Sequence, residues 1–155
     1  MLARNSTPNR AELTMYLRDQ ISNEILIYAY EKDEAQVGGW TETPAGRTSV
    51  YIPYSVVSPL EANQPDGTLQ DSGAIWGLPY SFRTYGASGY HVERQSDRLR
   101  KIVNGMVREI VDLDGDSWSI MKAIFPTIGS VTINRSGSRP TYAQYDTMLV
   151  TISKE

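Results

Sequence analysis

His91 is the only histidine of the chain and stands in "TYGASGYHVERQ" (residues 84–95), between a segment patterned as a strand and one patterned as a helix. Histidine is the commonest acid–base side chain near neutral pH, so its surroundings decide whether chemistry is on offer. The position falls in the first turn of the expected helix, where the positive dipole end disfavours imidazolium. No serine or cysteine motif supplies a nucleophile for it to activate. We read His91 as a structural or surface residue and the segment as a corner: Gly86 and Gly89 permit the change of direction, and Ser88 caps the helix.

In "DLDGDSW", Asp112, Asp114 and Asp116 match the first, third and fifth positions of a calcium loop, but Ser117 stands where glycine is needed and Ala123 where a bidentate glutamate is needed. That leaves a solvated acidic turn after a helix. "SIMK" (residues 119–122) fits S-x-x-K, yet neither "SDN" nor "KTG" follows, so Ser119 and Lys122 read as ordinary strand residues. The bases Arg94, Arg98, Arg100, Lys101 and Arg108 lack interleaved exposed aromatics and read as a solvated helix face rather than a nucleic-acid site. Asn5 and Asn134 fit the glycosylation pattern, in a chain expected not to be exported. Phosphate-loop, dinucleotide and zinc-protease motifs are absent from the sequence. No catalytic, cofactor-binding or metal residue is assigned.

The bulk numbers bound the rest. A chain of 155 residues suits one domain, and 40% hydrophobic with 21% charged residues is ordinary globular composition. Ten tyrosines against two phenylalanines is a skew, suited to half-buried sheets and interfaces. There is no cysteine, which removes disulfides and thiolate chemistry and fits a reducing compartment. The net charge of -3 argues against tight wrapping of nucleic acid, whose affinity comes from neutralising phosphates. Without a signal-like or membrane-length apolar run, the chain is expected to be soluble and unexported.

Periodicity then sets the elements. A helix is predicted over residues 8–22, started either by Thr7-Pro8 or by Asn9 with Glu12, its stripe Leu13, Tyr16, Leu17 and Ile21. Residues 24–31 read as an inner strand, 32–47 as a long exposed connection, and 48–57 as a strand in which Pro53 marks an edge or bulge. Residues 58–77 form a second long connection, and 78–84 a strand with one core face. The second helix carries Leu99, Ile102, Val103, Met106, Val107 and Ile110 in one stripe, with Gly105 inside it at a cost of about 1 kcal/mol. Residues 112–116 end it. A strand over 117–125 and a terminal hairpin with arms 128–136 and 142–154 complete the chain. The expected fold is α+β: a single domain over 1–155, with a mixed, mainly antiparallel sheet of four to six strands, two helices on one face and long interstrand loops.

That order of elements, with "PYSFRTYGASGYHVERQSDRLRKIV" (residues 79–103) and the closing "YAQYDTMLVTISK" (residues 142–154), resembles the tail terminator family of long-tailed bacteriophages. The resemblance covers nearly the whole chain. It implies a homo-oligomeric ring, typically of six subunits, at the head-proximal end of the virion tail and assembled in the host cytoplasm. Such a ring sits on the major tail tube protein, ends polymerisation and meets the head-completion or neck protein. Genomic DNA passes its lumen without specific binding, and no enzyme activity, cofactor or membrane is involved. The alternatives are another head–tail connector, a small enzyme with an unrecognised polar site, or a soluble binding module. On the ring reading the loops 32–47 and 60–76 reach neighbouring subunits, with Trp40, Trp76, Tyr54 and Arg47 as candidate anchors. Copies join through two different patches, for which edge pairing is one route. Pro53 weakens the second strand for that role, leaving the final strand as the alternative.

Overall fold

The computed structural model describes residues 7–41, 50–61, 75–136 and 139–155. Helix α1 (Arg10–Ile21) is followed by strands β1 (Ile27–Ala29), β2 (Gly39–Trp40), β3 (Tyr51–Ile52), β4 (Tyr54–Pro59) and β5 (Ile75–Gly86). Helix α2 (Gly89–Asn104) then leads to β6 (Ile110–Leu113), β7 (Asp116–Ile128), β8 (Thr132–Asn134) and β9 (Thr141–Lys154). The main sheet has seven strands in the order β1-β4-β5-β9-β7-β6, with β8 paired to β9, and β2–β3 form a separate two-stranded sheet. Among the described residues only the β1–β4 pair is parallel. The α+β class is as expected, with one strand more than the upper count read from the sequence.

Local chemistry explains the boundaries. Asn9, not Thr7, caps α1: its side chain accepts from the Glu12 backbone N–H at 3.1 Å. Leu13, Leu17 and Ile21 are buried along that helix, as their spacing requires. Ser88 caps α2, its hydroxyl accepting from the His91 N–H at 3.2 Å. The second helix is shorter than its apolar stripe. Gly105 is the residue that ends it rather than an interior glycine, and Arg108, at φ 84°, turns the chain into β6. Ile110, expected on the helical stripe, therefore lies on a strand and is exposed. The acidic turn is a two-residue hairpin between β6 and β7, with Asp114 at φ 55° and Gly115 at φ 87°. Positive φ at both central residues is what Asp-Gly supplies in such a turn.

Two strand expectations need correction. Residues 24–31 do not form an inner strand: β1 is three residues long and lies at the sheet's edge. β-branched and aromatic residues favour any pleated, half-buried position, so composition alone does not separate edge from interior. Residues 48–57 are not one strand either. Proline, having no N–H for a ladder, falls at Pro53 where β3 leaves for the small sheet and β4 begins in the main one, paired on both sides.

The core sits between the helices and one sheet face. On β5 this face is Leu78, Tyr80 and Phe82; on β9 it is Met148, Val150 and Ile152, all almost wholly buried. Trp118 and Ile120 continue it on β7. β9 is the centre of the sheet, pairing with β5 along one side and with β7 and β8 along the other. Among the described residues no helix is long and apolar enough to cross a membrane.

Candidate functional site

The four candidate anchors meet different fates. Trp40 belongs to the small sheet, opposite Tyr51, whose ring meets it edge-on at 5.2 Å between centroids. Its other contact is the Arg139 guanidinium, 4.7 Å from the ring centroid, on the link between β8 and β9. Trp40 thus folds onto its own chain while staying partly exposed. Trp76 is not on a loop: it lies in β5 opposite Ile152 and packs half-buried against the core. Arg47 lies outside the described residues.

Tyr54 is the centre of an aromatic group on the sheet face away from the helices. Its ring stacks on Tyr85 at 4.9 Å, meets Tyr28 edge-on at 6.4 Å, and has the Lys32 ammonium 5.5 Å from its centroid. Burial raises the phenol pKa values of Tyr54 and Tyr51, and pushes that of Tyr85 up to about 12, where nearby Tyr145 adds to the effect. A Cβ at Gly38 would meet the Tyr54 ring at 2.8 Å, so glycine lets the 32–40 segment lie flat against this face.

The chemistry-bearing residues of the sequence are spread apart. His91 is exposed, its Nδ1 within 2.9 Å of the Ser88 hydroxyl and its ring beside Tyr90. Ser119 and Lys122 occupy ladder positions opposite Ser153 and Thr151. Asp112 accepts from the Ser117 hydroxyl at 2.9 Å across the hairpin, and the Asp114 N–H donates to Glu12 of α1 at 2.6 Å. The basic face of α2 is largely paired: Lys101 with Asp97 at 3.0 Å, and Arg98 with the Glu24 carbonyl at 3.3 Å. Lys101 holds the Asp97 carboxyl below the usual carboxylate range, chiefly through their hydrogen bond.

The most organised polar group was not assigned from sequence. Asp146, buried on β9, accepts at one oxygen from the Gly129 N–H and the Gln144 amide, each at 3.0 Å. Its other oxygen takes the Ser96 hydroxyl and, at 3.2 Å, the Arg100 guanidinium of α2. A buried carboxylate is tolerated when every lone pair has such a donor. Above the network a cleft of about 390 Å³ opens between Tyr90, Arg94 and Asp97 on one side and Ile128 and Gly129 on the other. The signal for Asp146 was present: it shares the alternating face of Met148, Val150 and Ile152, so a charge had to face the core. What the arrangement does is fasten α2, β9 and the β7–β8 link together.

No family model matches the chain, and no curated protein matches it. Among solved structures, one chain known only by a sequence number is similar at 10% identity, with a TM-score of 0.40 over 91% of this chain and 89% of that one.

Proposed function

We propose that this chain is a structural subunit of a tail-terminator-like ring. In this reading it closes the head-proximal end of a phage tail tube and joins it to a head-completion or neck protein. The observation that carries the reading is the unit formed by the residues on which the resemblance rests. β5 runs into the small-residue corner 86–88, the corner delivers a capped α2, and α2 lies over the closing strand β9 through the Asp146 network. The unit ties strand, corner and helix together through a cap and a buried hydrogen-bond network, as a part working by shape requires. In a ring, the sheet faces and connections that remain exposed meet neighbouring copies, the tail tube and the neck, while DNA passes the lumen without being held.

The test is genetic and visual. Deleting the gene from its phage and imaging the tails should yield overlong, polydisperse tails without heads. Tails of normal length that fail to join heads would make the chain another connector, and unaltered virions would remove the reading altogether.

A further inference from the structure

The expectation that the final strand joins copies fails on topology, because β9 has partners on both sides. The register identifies a different pair of surfaces. Ala29 pairs with Val57, Val57 with Phe82, Phe82 with Asp146, and Asp146 with Ile128. One cross-strand row therefore runs from the end of β1 to the end of β7, spanning about 19 Å over four strand spacings.

At the β7 end, β6 covers only residues 116–119 of the outer edge, and the backbone of Arg108 and Glu109 covers Ile120. Among the described residues no strand pairs with the outer edge of residues 121–128 or of β8. This rim exposes Met121, Ile124, Ile128 and Ile133, each about half accessible. The strands of the rim carry only basic charge, with no acidic residue from Ser117 to Tyr145 and Lys122, Arg135 and Arg139 between, while Glu93 and Asp97 of α2 line the cleft beside Ile128. Lys122 and Arg135 make no ion pair among the described residues.

At the β1 end the signs reverse. Tyr30 (45% exposed) and Val37 (59%) stand among exposed Glu31, Asp33 and Glu34, while Lys32 turns back over Tyr54. Tyr30 is held at φ 70°, an outlier for a bulky residue. Its N–H donates to the Val57 carbonyl at 2.7 Å, and its own carbonyl accepts from Ser58 and Arg83, each at 3.1 Å. Those bonds turn the chain off the sheet there.

We propose that the basic apolar rim of β7 and β8 docks on the acidic Tyr30–Val37 surface of a second copy of this chain. The occupant follows from the pairing. Both patches expose apolar side chains, they carry opposite charge, and they stand at the two ends of one row, so each copy offers one to each neighbour. Two different patches meeting head to tail generate a ring when the rotation closes. The bulges at Met121 and near Pro126 blunt the edge against indiscriminate strand addition, leaving side chains and charge to select the partner. This inference rests on the ring reading and specifies its contact.

The absence of native cysteine makes the test direct. Val37→Cys and Ile128→Cys are introduced singly and together at these exposed positions, with melting curves matching the parent chain as the folding control. Under oxidation or with a short bis-maleimide, mixed single variants should cross-link to a dimer, and the doubly substituted chain should give a ladder ending at the ring's copy number. In parallel, Lys122→Glu with Arg135→Glu should weaken self-association tenfold or more, and adding Glu31→Lys with Glu34→Lys should restore it. A cross-linked dimer from Ile128→Cys alone would mean a two-fold contact and overturn the proposal. Oligomers of unchanged mass in every charge variant, without mixed cross-links, would overturn this contact and leave the ring reading standing. A monomer at the highest attainable concentration, without cross-links, would overturn this contact, while the ring reading itself is decided by the tail lengths of the deletion phage.

Discussion

Asp146 of β9 and Arg100 of α2 meet at 3.2 Å beneath the helix, joining the closing strand to the helix that follows the corner. The carboxylate is almost wholly buried, whereas the guanidinium reaches solvent with a fifth of its side chain. Asp146→Ala would leave the Gly129 N–H and the Ser96 hydroxyl without their acceptor, and the Gln144 amide and Arg100 with only the Ser96 oxygen and, for Arg100, Asp97. A loss of about 3–5 kcal/mol is expected. Asp146→Asn, which keeps the shape and one acceptor, should lose less. Urea denaturation followed by circular dichroism measures both; equal stability of Asp146→Ala and the parent would show the network to be incidental.

Gly129 sets a second, independent condition on the same region. A Cβ there would lie 2.2 Å from the Tyr145 carbonyl oxygen, a backbone atom with no rotamer to escape into. Gly129→Ala should cost roughly 1–3 kcal/mol, as overpacking does, and displace its N–H from Asp146. Gly115→Ala is the contrast: nothing lies within 4 Å, and only φ 87° opposes the methyl. Its cost should be about 1–2 kcal/mol, from left-handed backbone strain alone. Amide exchange at residue 129 and paired denaturation curves separate the two mechanisms.

Much of this architecture was legible because its signals are periodic. The alternation along 142–154 gave β9 and its buried face; Asp146 stands on that same face, but it went unassigned because one charge inside an alternating run does not show what will pair with it. The cap at Ser88 was legible from serine chemistry, but the glycines act differently from expectation: neither Gly86 nor Gly89 has a positive φ, and Gly86 matters because a Cβ there would meet Val92 at 2.8 Å. The end of α2 was not legible, because Val107 and Ile110 continue the helical spacing, and the reversal depends on a positive φ at Arg108 that no residue type announces. The edge position of β1 was equally hidden, since edge and interior strands draw on the same residues. Apart from Gln144 on its own strand, the partners of Asp146 come from α2 and the β7–β8 link, so no local spacing reveals them. Asp114-Gly115 was read as the end of a helix, although the same dipeptide is the strongest short signal for a hairpin.

The two tryptophans should separate under mutation. Trp40→Ala removes a ring held by Tyr51 and Arg139 on the small sheet and should cost no more than about 1 kcal/mol. Trp76→Ala removes half-buried area against the core and should cost about 1–3 kcal/mol. In tail-joining assays a loss with Trp40→Ala at unchanged melting temperature would identify an anchor, while a loss with Trp76→Ala that follows stability would identify packing.

Truncation before Met148 tests the central place of β9. The deleted residues pair Tyr80 to Ile75 of β5 on one side and Ile124 to Trp118 of β7 on the other. Without them β5 and β7 lose their shared neighbour and the buried faces of Met148, Val150 and Ile152. No cooperative unfolding transition should remain. A truncated chain that melts cooperatively would show that the sheet closes without its central strand.

Alkaline pH should weaken the fold through its phenols. Burial and the hydrogen bond to Glu109 push Tyr16 up to about 12, and burial with Tyr145 nearby raises Tyr85 to about 12, against an unfolded value of 10.0. Each group is then neutral in the folded chain at a pH where the unfolded chain has already lost its proton. The stabilisation is complete below pH 10.0, falls as pH rises from 10.0 towards 12, and is gone above the folded values. Denaturation midpoints should decline across that window, with phenolate absorbance appearing late in the folded chain. Tyr16→Phe, which removes one of the titrating groups, should flatten part of the decline. A midpoint independent of pH across the window would mean that these phenols ionise alike in both states.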